Sequence, residues 1–356
     1  MPVRLCLHRV LRRPRRRHRG QRSRTVSVVF DVGGTSLRFA LFDPATGRLS
    51  GRGEVATPNY MSSPKREGEL VAEVLASMRR CVLEHRAEQP AASIIAALPG
   101  PVIDGEYVSH LPTILGAPLG EPLAVGTLMR EVFGTHDVRL LNDITAAGYR
   151  FLDRHGPDFA VISVGSGVGS KLFLGGRPIV GRLGDAGEIG HLALDSADLD
   201  APCECGGNGH VGALASGRGI VRLGICRARA NLREYRSSQP GAFCPVPERL
   251  NTAVLAAAFR DGDPWTLRLA RASLEPLAQA MATIRAATGI ARYVLIGGLA
   301  IALGQRYVEA LQEACARHYA WASWNDSIHL GPGDDCNGLI GAGIYSCIEE
   351  DKACTW

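Results

Sequence analysis

Two stretches of the chain share one hydrophobic pattern. VSVVFDVGGTSLRFALFD (26–43) is a β-branched run, a Gly-Gly turn and an alternating apolar run. FAVISVGSGVGSKLFLGG (159–176) repeats that scheme about 130 residues later. Each predicts a β-hairpin whose turn holds more glycine than chain reversal requires. Two such hairpins predict two lobes of similar design. Between them Leu70, Val71, Val74, Leu75, Met78 and Val82 fall at helical spacing and predict an amphipathic helix over 69–86. ASIIAAL (92–98), stopped by Pro99-Gly100-Pro101, and DVRLLND (137–143) predict strands. Helices are expected at 217–233, 249–259, 265–288 and 303–319, with a strand at 292–298. The alternation predicts an α/β architecture with mixed sheets flanked by helices. The expected division is an arm (1–25), a small N-terminal lobe (26–143) and a large lobe (144–337) with an irregular loop at 187–216. GLIGAGIYSCIEE (338–350) predicts a C-terminal helix, within 338–356, packing back across the lobes.

The 356 residues suffice for two cores. The formal charge of +5 comes from the arm: residues 1–25 hold ten Arg and no acid. The remainder has 30 basic and 35 acidic residues, a net of −5, and gives no footprint for nucleic acid. The arm reads as a disordered leader or as a start codon placed too early. Binding to an anionic surface or nucleic acid and a targeting role are the other readings, although it lacks the apolar core of a secretory signal. No apolar run reaches the roughly 18–20 residues that span a bilayer. Ten cysteines, eight of them scattered, suggest no disulfide framework and predict reduced thiols in the cytoplasm.

Chemistry concentrates in three places. A glycine turn between strands offers backbone N–H groups to an anion, because no Cβ blocks the approach. Gly33, Gly34 and Thr35 form one such turn, and Gly165, Ser166, Gly167 and Gly169 the other. Matching turns in two lobes suggest a clamp on a nucleotide's phosphates. Asp31, beside the first turn, calls for a cation such as Mg²⁺ between acid and phosphate. A P-loop is absent. In LLNDITAAG (140–148) a strand delivers Asn142 and Asp143 where a helix begins. Alone the pair reads as a helix cap; beside phosphate turns, Asp143 reads as acceptor of an attacking hydroxyl's proton, with Asn142 fixing a neighbouring hydroxyl. His191, Cys203, Cys205 and His210 make an S₂N₂ set suited to structural Zn²⁺ with no open position.

These motifs resemble those of the ROK family (repressors, open reading frames and sugar kinases) of the actin-like ATPase superfamily, along about 26–350. DVGGTSLRFALFD resembles its phosphate signature, LLND its catalytic Asn-Asp, GEIGH its G-E-x-G-H and CECGGNGH its C-x-C-G-x-x-G-C. The resemblance implies a two-lobed actin-like ATPase (ribonuclease H-like) fold with a zinc-binding loop. It implies ATP and catalytic Mg²⁺ as cofactors, Asp143 as general base, and Asn142, Glu188 and His191 holding substrate hydroxyls, His191 also ligating zinc. VLIGGLA (294–300) resembles the adenosine-side turn and implies Gly297 and Gly298 against the nucleotide. Family members often dimerise, so a homodimer is an open expectation.

The chain departs from the pattern in three places. His210 stands where the family has a third Cys, which keeps four ligands. Gly212 stands where G-C-x-E-x-x-x-S carries a sugar-binding Glu, with Ser216 retained, and Thr113 in LPTIL replaces an Asn. Loss of that carboxylate suggests a substrate other than glucose. The expectation is an ATP-dependent kinase for the primary hydroxyl of a cyclic polyol, a C7-cyclitol of the valiolone type in aminocyclitol or pseudo-oligosaccharide (antibiotic) biosynthesis. A glucokinase is the alternative, and drift with another group substituting is the plain reading of Gly212. A ROK-type repressor is remote, because 25 Arg-rich residues are too short for a winged helix. A zinc-stabilised scaffold without catalysis is the third rival.

Overall fold

A computed structural model describes residues 26–63, 65–84, 93–116, 119–135, 137–194 and 201–353. The expected arm lies outside them. The first repeated segment forms antiparallel β1 (Ser27–Val32) and β2 (Ser36–Asp43), and β2 pairs onward with β3 (Arg48–Ala56). β4 (Ile94–Leu98) runs parallel to β1. A short hairpin, β5 (Val102–Ile103) and β6 (Tyr107–Val108), precedes β7 (Val138–Asn142), which is parallel to β4. The sheet order is β3-β2-β1-β4-β7.

The second segment forms β8 (Phe159–Val164) and β9 (Val168–Leu174), extended by β10 (Arg177–Pro178). β11 (Tyr293–Ile296) is parallel to β8, and β12 (Ile328–Leu330) parallel to β11. Its order, β10-β9-β8-β11-β12, repeats the first sheet strand for strand and direction for direction. The repeated sequence pattern therefore builds a repeated sheet.

β1, β4, β8 and β11 are buried almost throughout, which requires cover on both faces. Helix Glu67–Glu84 lays Leu70, Val74 and Met78 on the outer face of the first sheet. Pro264–Thr288 and Gln305–His318 cover the second through Leu269, Met281 and Leu311. Helices Asp143–Tyr149 and Asn337–Ala353 fill the layer between the sheets, where Val29 and Phe42 of one meet Phe159 and Phe173 of the other. Glycine permits that closeness: a Cβ on Gly341 would stand 1.7 Å from the Ala146 carbonyl oxygen.

Boundaries differ from expectation where a cap intervenes. The helix expected at 217–233 ends at Ala230, and Asn231 caps a new one, Leu232–Arg236, by accepting from Glu234 N–H at 3.1 Å. The segment at 249–259 becomes helical only at Thr252, after the Asn251 cap. The helix expected at 303–319 forms as Gln305–His318, and an additional short helix, Gly298–Leu303, precedes it, parted from it at Gly304 with a φ of 70°.

Candidate active site

The first glycine turn is braced from two sides. Gly33 N–H donates to Ser36 O at 2.9 Å, and Asn59 Nδ2, on a buried side chain, donates to Gly34 O at 2.7 Å. Thr113 packs so closely that a Cβ on Gly34 would lie 2.5 Å from its own. Thr35 O accepts from Thr57 N–H at 3.1 Å. Asp31 is the last residue but one of β1, its carboxylate 4.0 Å from Arg38, under Gly338, where a Cβ would clash with it at 2.6 Å. Burial lifts the Asp31 carboxyl to about 6, with Arg38 pulling down and Asp335 and Glu54 pushing up.

The second turn is Gly165–Gly167. Gly165 N–H donates to Gly167 O at 3.0 Å, and Gly217 N–H to Gly165 O at 2.8 Å, so the start of helix Gly217–Ala230 rests on the turn. Gly297, at φ 92°, passes so close to β8 that a Cβ would stand 2.7 Å from Val164 O. Gly165, Ser166 and Gly298 line a mostly apolar pocket of about 680 Å³ with Leu250, Asn251 and Leu299. Gly167 lines its neighbour, of about 520 Å³, with His191, Gly212 and Ser216. Arg218 lines both, ion-paired with Glu204, its Nη2 3.5 Å from where a Cβ of Gly167 would be. One expected turn residue is not in the turn. Gly169 lies within β9 opposite Ser163, and the space above it is taken by Ile144, 3.1 Å from a would-be Cβ. The run of glycines outlasts the turn because strand pairing, not composition, sets where the turn stops.

Asn142 ends β7 and caps the following helix, its Oδ1 accepting from Thr145 N–H at 3.0 Å. Capping leaves its Nδ2 to donate to Gly100 O at 3.2 Å and to Asp143 Oδ1 at 2.9 Å. Asp143 Oδ1 also accepts from Ile144 N–H at 2.8 Å. Burial, then the Asp31 charge, lifts Asp143 to about 7; the Ile144 N–H and Lys171 oppose that rise, and Glu188 adds to it. Asp143, at the end of β7, thus feels the charge of Asp31 on β1 of the same sheet. A base poised near neutrality suits proton acceptance.

Glu188 and His191 follow on the loop after β10, His191 N–H donating to Glu188 O at 3.1 Å. Neither Asp143 nor Glu188 lines the two pockets above. The potential ligand atoms of His191, Cys203, Cys205 and His210 all lie within 4.8 Å of one another. Cys203 Sγ is 3.7 Å from His191 Nδ1, and Cys205 Sγ 3.2 Å from His210 Nδ1. Tetrahedral zinc spaces such atoms about 3.5 Å apart, so the four fit it. Gly207 makes room: a Cβ there would strike the His210 ring at 2.5 Å. A Cβ on Gly212 would reach 3.0 Å from Gly190 O.

Sequence reasoning missed Lys171, whose wholly buried Nζ lies 3.2 Å from Glu188 Oε1. A charged residue inside the apolar strand SKLFL was the available signal. It also missed Arg218, Leu250 and Asn251, which only folding brings to the turn.

The model of the ROK family matches residues 27–346. A C(7)-cyclitol 7-kinase of Streptomyces hygroscopicus subsp. limoneus is 34% identical over 328 residues, 89% of this chain and 92% of that protein. A 2-epi-5-epi-valiolone 7-kinase of an Actinoplanes species is 29% identical over 337 residues, covering 89% and 91%. The crystal structure of a ROK hexokinase from Thermus thermophilus superposes with a TM-score of 0.69 at 26% identity, covering 92% of this chain and 99% of that one. With the duplicated sheet and the two braced turns, these matches establish that the chain belongs to the ROK family.

Proposed function

We propose that the protein is an ATP-dependent kinase that phosphorylates the primary hydroxyl of a C7-cyclitol of the valiolone type. The observation that carries the reading is the Gly165–Gly167 turn. It forms the ridge between an apolar pocket of a size to take a nucleobase and a second pocket bordered by His191 and Gly212. A nucleotide whose base sits beside Leu250 and Leu299 would lay its phosphates over this turn toward Gly33–Thr35. Glu188 and His191, with Asn142, would hold the acceptor's hydroxyls. Asp143 would take the proton of the attacking hydroxyl as its oxygen bonds to the γ-phosphorus and the bond to the β-phosphate oxygen breaks, releasing ADP. The greater part of the acceleration would come from alignment and charge neutralisation.

Two metals fit the residues present. Asp31 would hold Mg²⁺ directly or through water: its carboxylate stands near enough to Asp143 to raise that acid's pKa, and a cation there would offset the crowded negative charge. The cation supplies charge neutralisation on the transferred phosphoryl. His191, Cys203, Cys205 and His210 would hold structural Zn²⁺, fixing the loop that carries Glu188. Gly212 supports a cyclitol over glucose, because it leaves no carboxylate where the family grips the ring near its hemiacetal. The similarity to relatives named for cyclitol kinases, along nine-tenths of the chain, supports the same choice. Aminocyclitol or pseudo-oligosaccharide biosynthesis is the setting in which such a phosphoester belongs.

The test is a panel of 2-epi-5-epi-valiolone, glucose and other hexoses with ATP and Mg²⁺, read by phosphoproduct mass spectrometry and kcat/KM. The cyclitol is expected to lead. Glucose leading would make the protein a hexokinase, and phosphorylation of none would remove the kinase reading.

A further inference from the structure

Lys171 is explained by neither the phosphate turns nor the metal knot. It lies on β9 with its side chain wholly buried, one of three lysines in the chain. An ammonium withdrawn from water is costly unless its partners replace the lost hydration. Here Nζ donates to Ala186 O at 2.5 Å and to Glu188 Oε1 at 3.2 Å. Its neighbour Ser170, also wholly buried, donates to Gly187 O at 2.6 Å and accepts from Ile189 N–H at 3.1 Å. Each of the four residues from Ala186 to Ile189 is therefore held by one of two consecutive strand side chains. Gly187, at φ 85°, takes a backbone conformation that other residues rarely adopt, and the segment lies against the strand, the Cβ position of Gly187 being 3.6 Å from Lys171 Cα.

The pairing is asymmetric. Lys171 is sealed from solvent, whereas Glu188 keeps 27% of its side chain exposed. Anchored through one oxygen, the carboxylate still reaches the solvent side, where a ligand hydroxyl can meet it. A pair that served packing alone would have no need of the open end. The same positive charge is felt at Asp143, where it opposes the acids around it.

We propose that Lys171 is a positioning residue for the phosphoryl acceptor: its buried ammonium fixes the direction in which Glu188 presents its carboxylate to substrate hydroxyls. The inference rests on the kinase reading of Glu188. It is tested with full-length protein carrying Lys171→Met, Lys171→Arg, Glu188→Gln or Lys171→Met with Glu188→Gln. Steady-state kinetics use ATP-Mg²⁺ with 2-epi-5-epi-valiolone and glucose as probes, and hydrogen exchange follows residues 186–190. Lys171→Met is expected to raise the KM of the phosphorylated probe about tenfold or more, with the KM of ATP little changed. The double variant is expected to be no worse than Glu188→Gln alone, because both changes remove one interaction. Lys171→Arg, which keeps the cation, is expected to recover part of the loss, and remains the readout if the Met variant does not fold. Multiplying effects in the double variant, an unchanged acceptor KM, or equal losses for both substrates would overturn the assignment. If the wild-type protein phosphorylates neither probe, the kinase reading falls and exchange alone decides: faster exchange at 186–190 in Lys171→Met supports the anchor, and unchanged exchange refutes it.

Discussion

Asp143→Asn separates catalysis from stability at one atom pair. The amide keeps the shape of the acid, and its oxygen can still accept from Ile144 N–H, now at 2.8 Å. What it loses is a charge and a basic oxygen. The folded protein raises the Asp143 carboxyl from 3.8 to about 7, chiefly by burial and then through Asp31. Between those pH values the folded state binds more protons than the unfolded chain, so stability falls as pH rises, and the full penalty stands above about 7. A gap of about 3 pH units corresponds to about 4 kcal/mol. The side chain is only half-buried, and solvent screening brings the expected penalty to about 1–2 kcal/mol. Asp143→Asn should therefore be more stable than the parent by about that amount at pH 8, with the gain fading toward pH 4. Turnover should move the opposite way, with kcat down by about 10²–10⁴ and little change in substrate Kd. Urea unfolding at pH 5 and pH 8 reads the first effect, and steady-state kinetics the second. The parent's kcat/KM should climb with pH up to about 7 and then level. Near-normal turnover in the variant would take Asp143 out of proton transfer. A variant less stable at pH 8 would show that the ionised acid supports the fold instead of straining it.

Other perturbations probe the surrounding site. Gly212→Glu should raise kcat/KM for glucose relative to 2-epi-5-epi-valiolone by about tenfold or more, the worth of a hydrogen bond to a carboxylate. It should also lower Tm, because its Cβ presses on Gly190 O; an unmoved ratio would detach position 212 from substrate choice. Cys205→Ser should abolish bound zinc, measured by plasma emission, and lower Tm, whereas parent protein without zinc would empty the knot of its metal role. Arg218→Gln should raise the KM of ATP about tenfold while leaving AMP affinity nearly constant, since the guanidinium lies against the Gly165–Gly167 turn. Equal losses for ATP and AMP would contradict a phosphate contact.

The first two strands of each sheet were legible because both faces of their patterns announce themselves: β-branched burial in β1 and β8, alternation in β2. β3 was not. It is exposed or half-exposed at every position and is held by main-chain pairing with β2, with Leu49 alone of its side chains packed against the central core, too little to make a pattern. β12, three residues long, gives too short a pattern to read. The cluster of potential metal ligands is visible in the spacing of Cys203, Cys205 and His210, whereas the glycine run does not mark where the second turn ends, because Gly169 belongs to a strand and yields space to Ile144. Lys171 escaped notice because its importance lies in a partner loop that crosses back over its own strand.

By itself the sequence determined the repeated hairpins, the glycines at both turns, the acids at strand ends and the four clustered residues able to ligate a metal. All of these lie close along the chain: a turn or a strand end is fixed by local sterics and local hydrogen bonds, and the four potential ligands fall within residues 191–210. Only the tertiary structure decided that Asp31 comes near enough to Asp143 for its charge to raise the Asp143 pKa. It also decided that Arg218 and Asn251 reach the Gly165 turn, and that Glu188 leans on a buried lysine. Burial and electrostatic fields depend on which surfaces close upon one another, and that closure rests on Gly338, Gly341 and Gly343 letting the last helix lie against strands and helix far earlier in the chain.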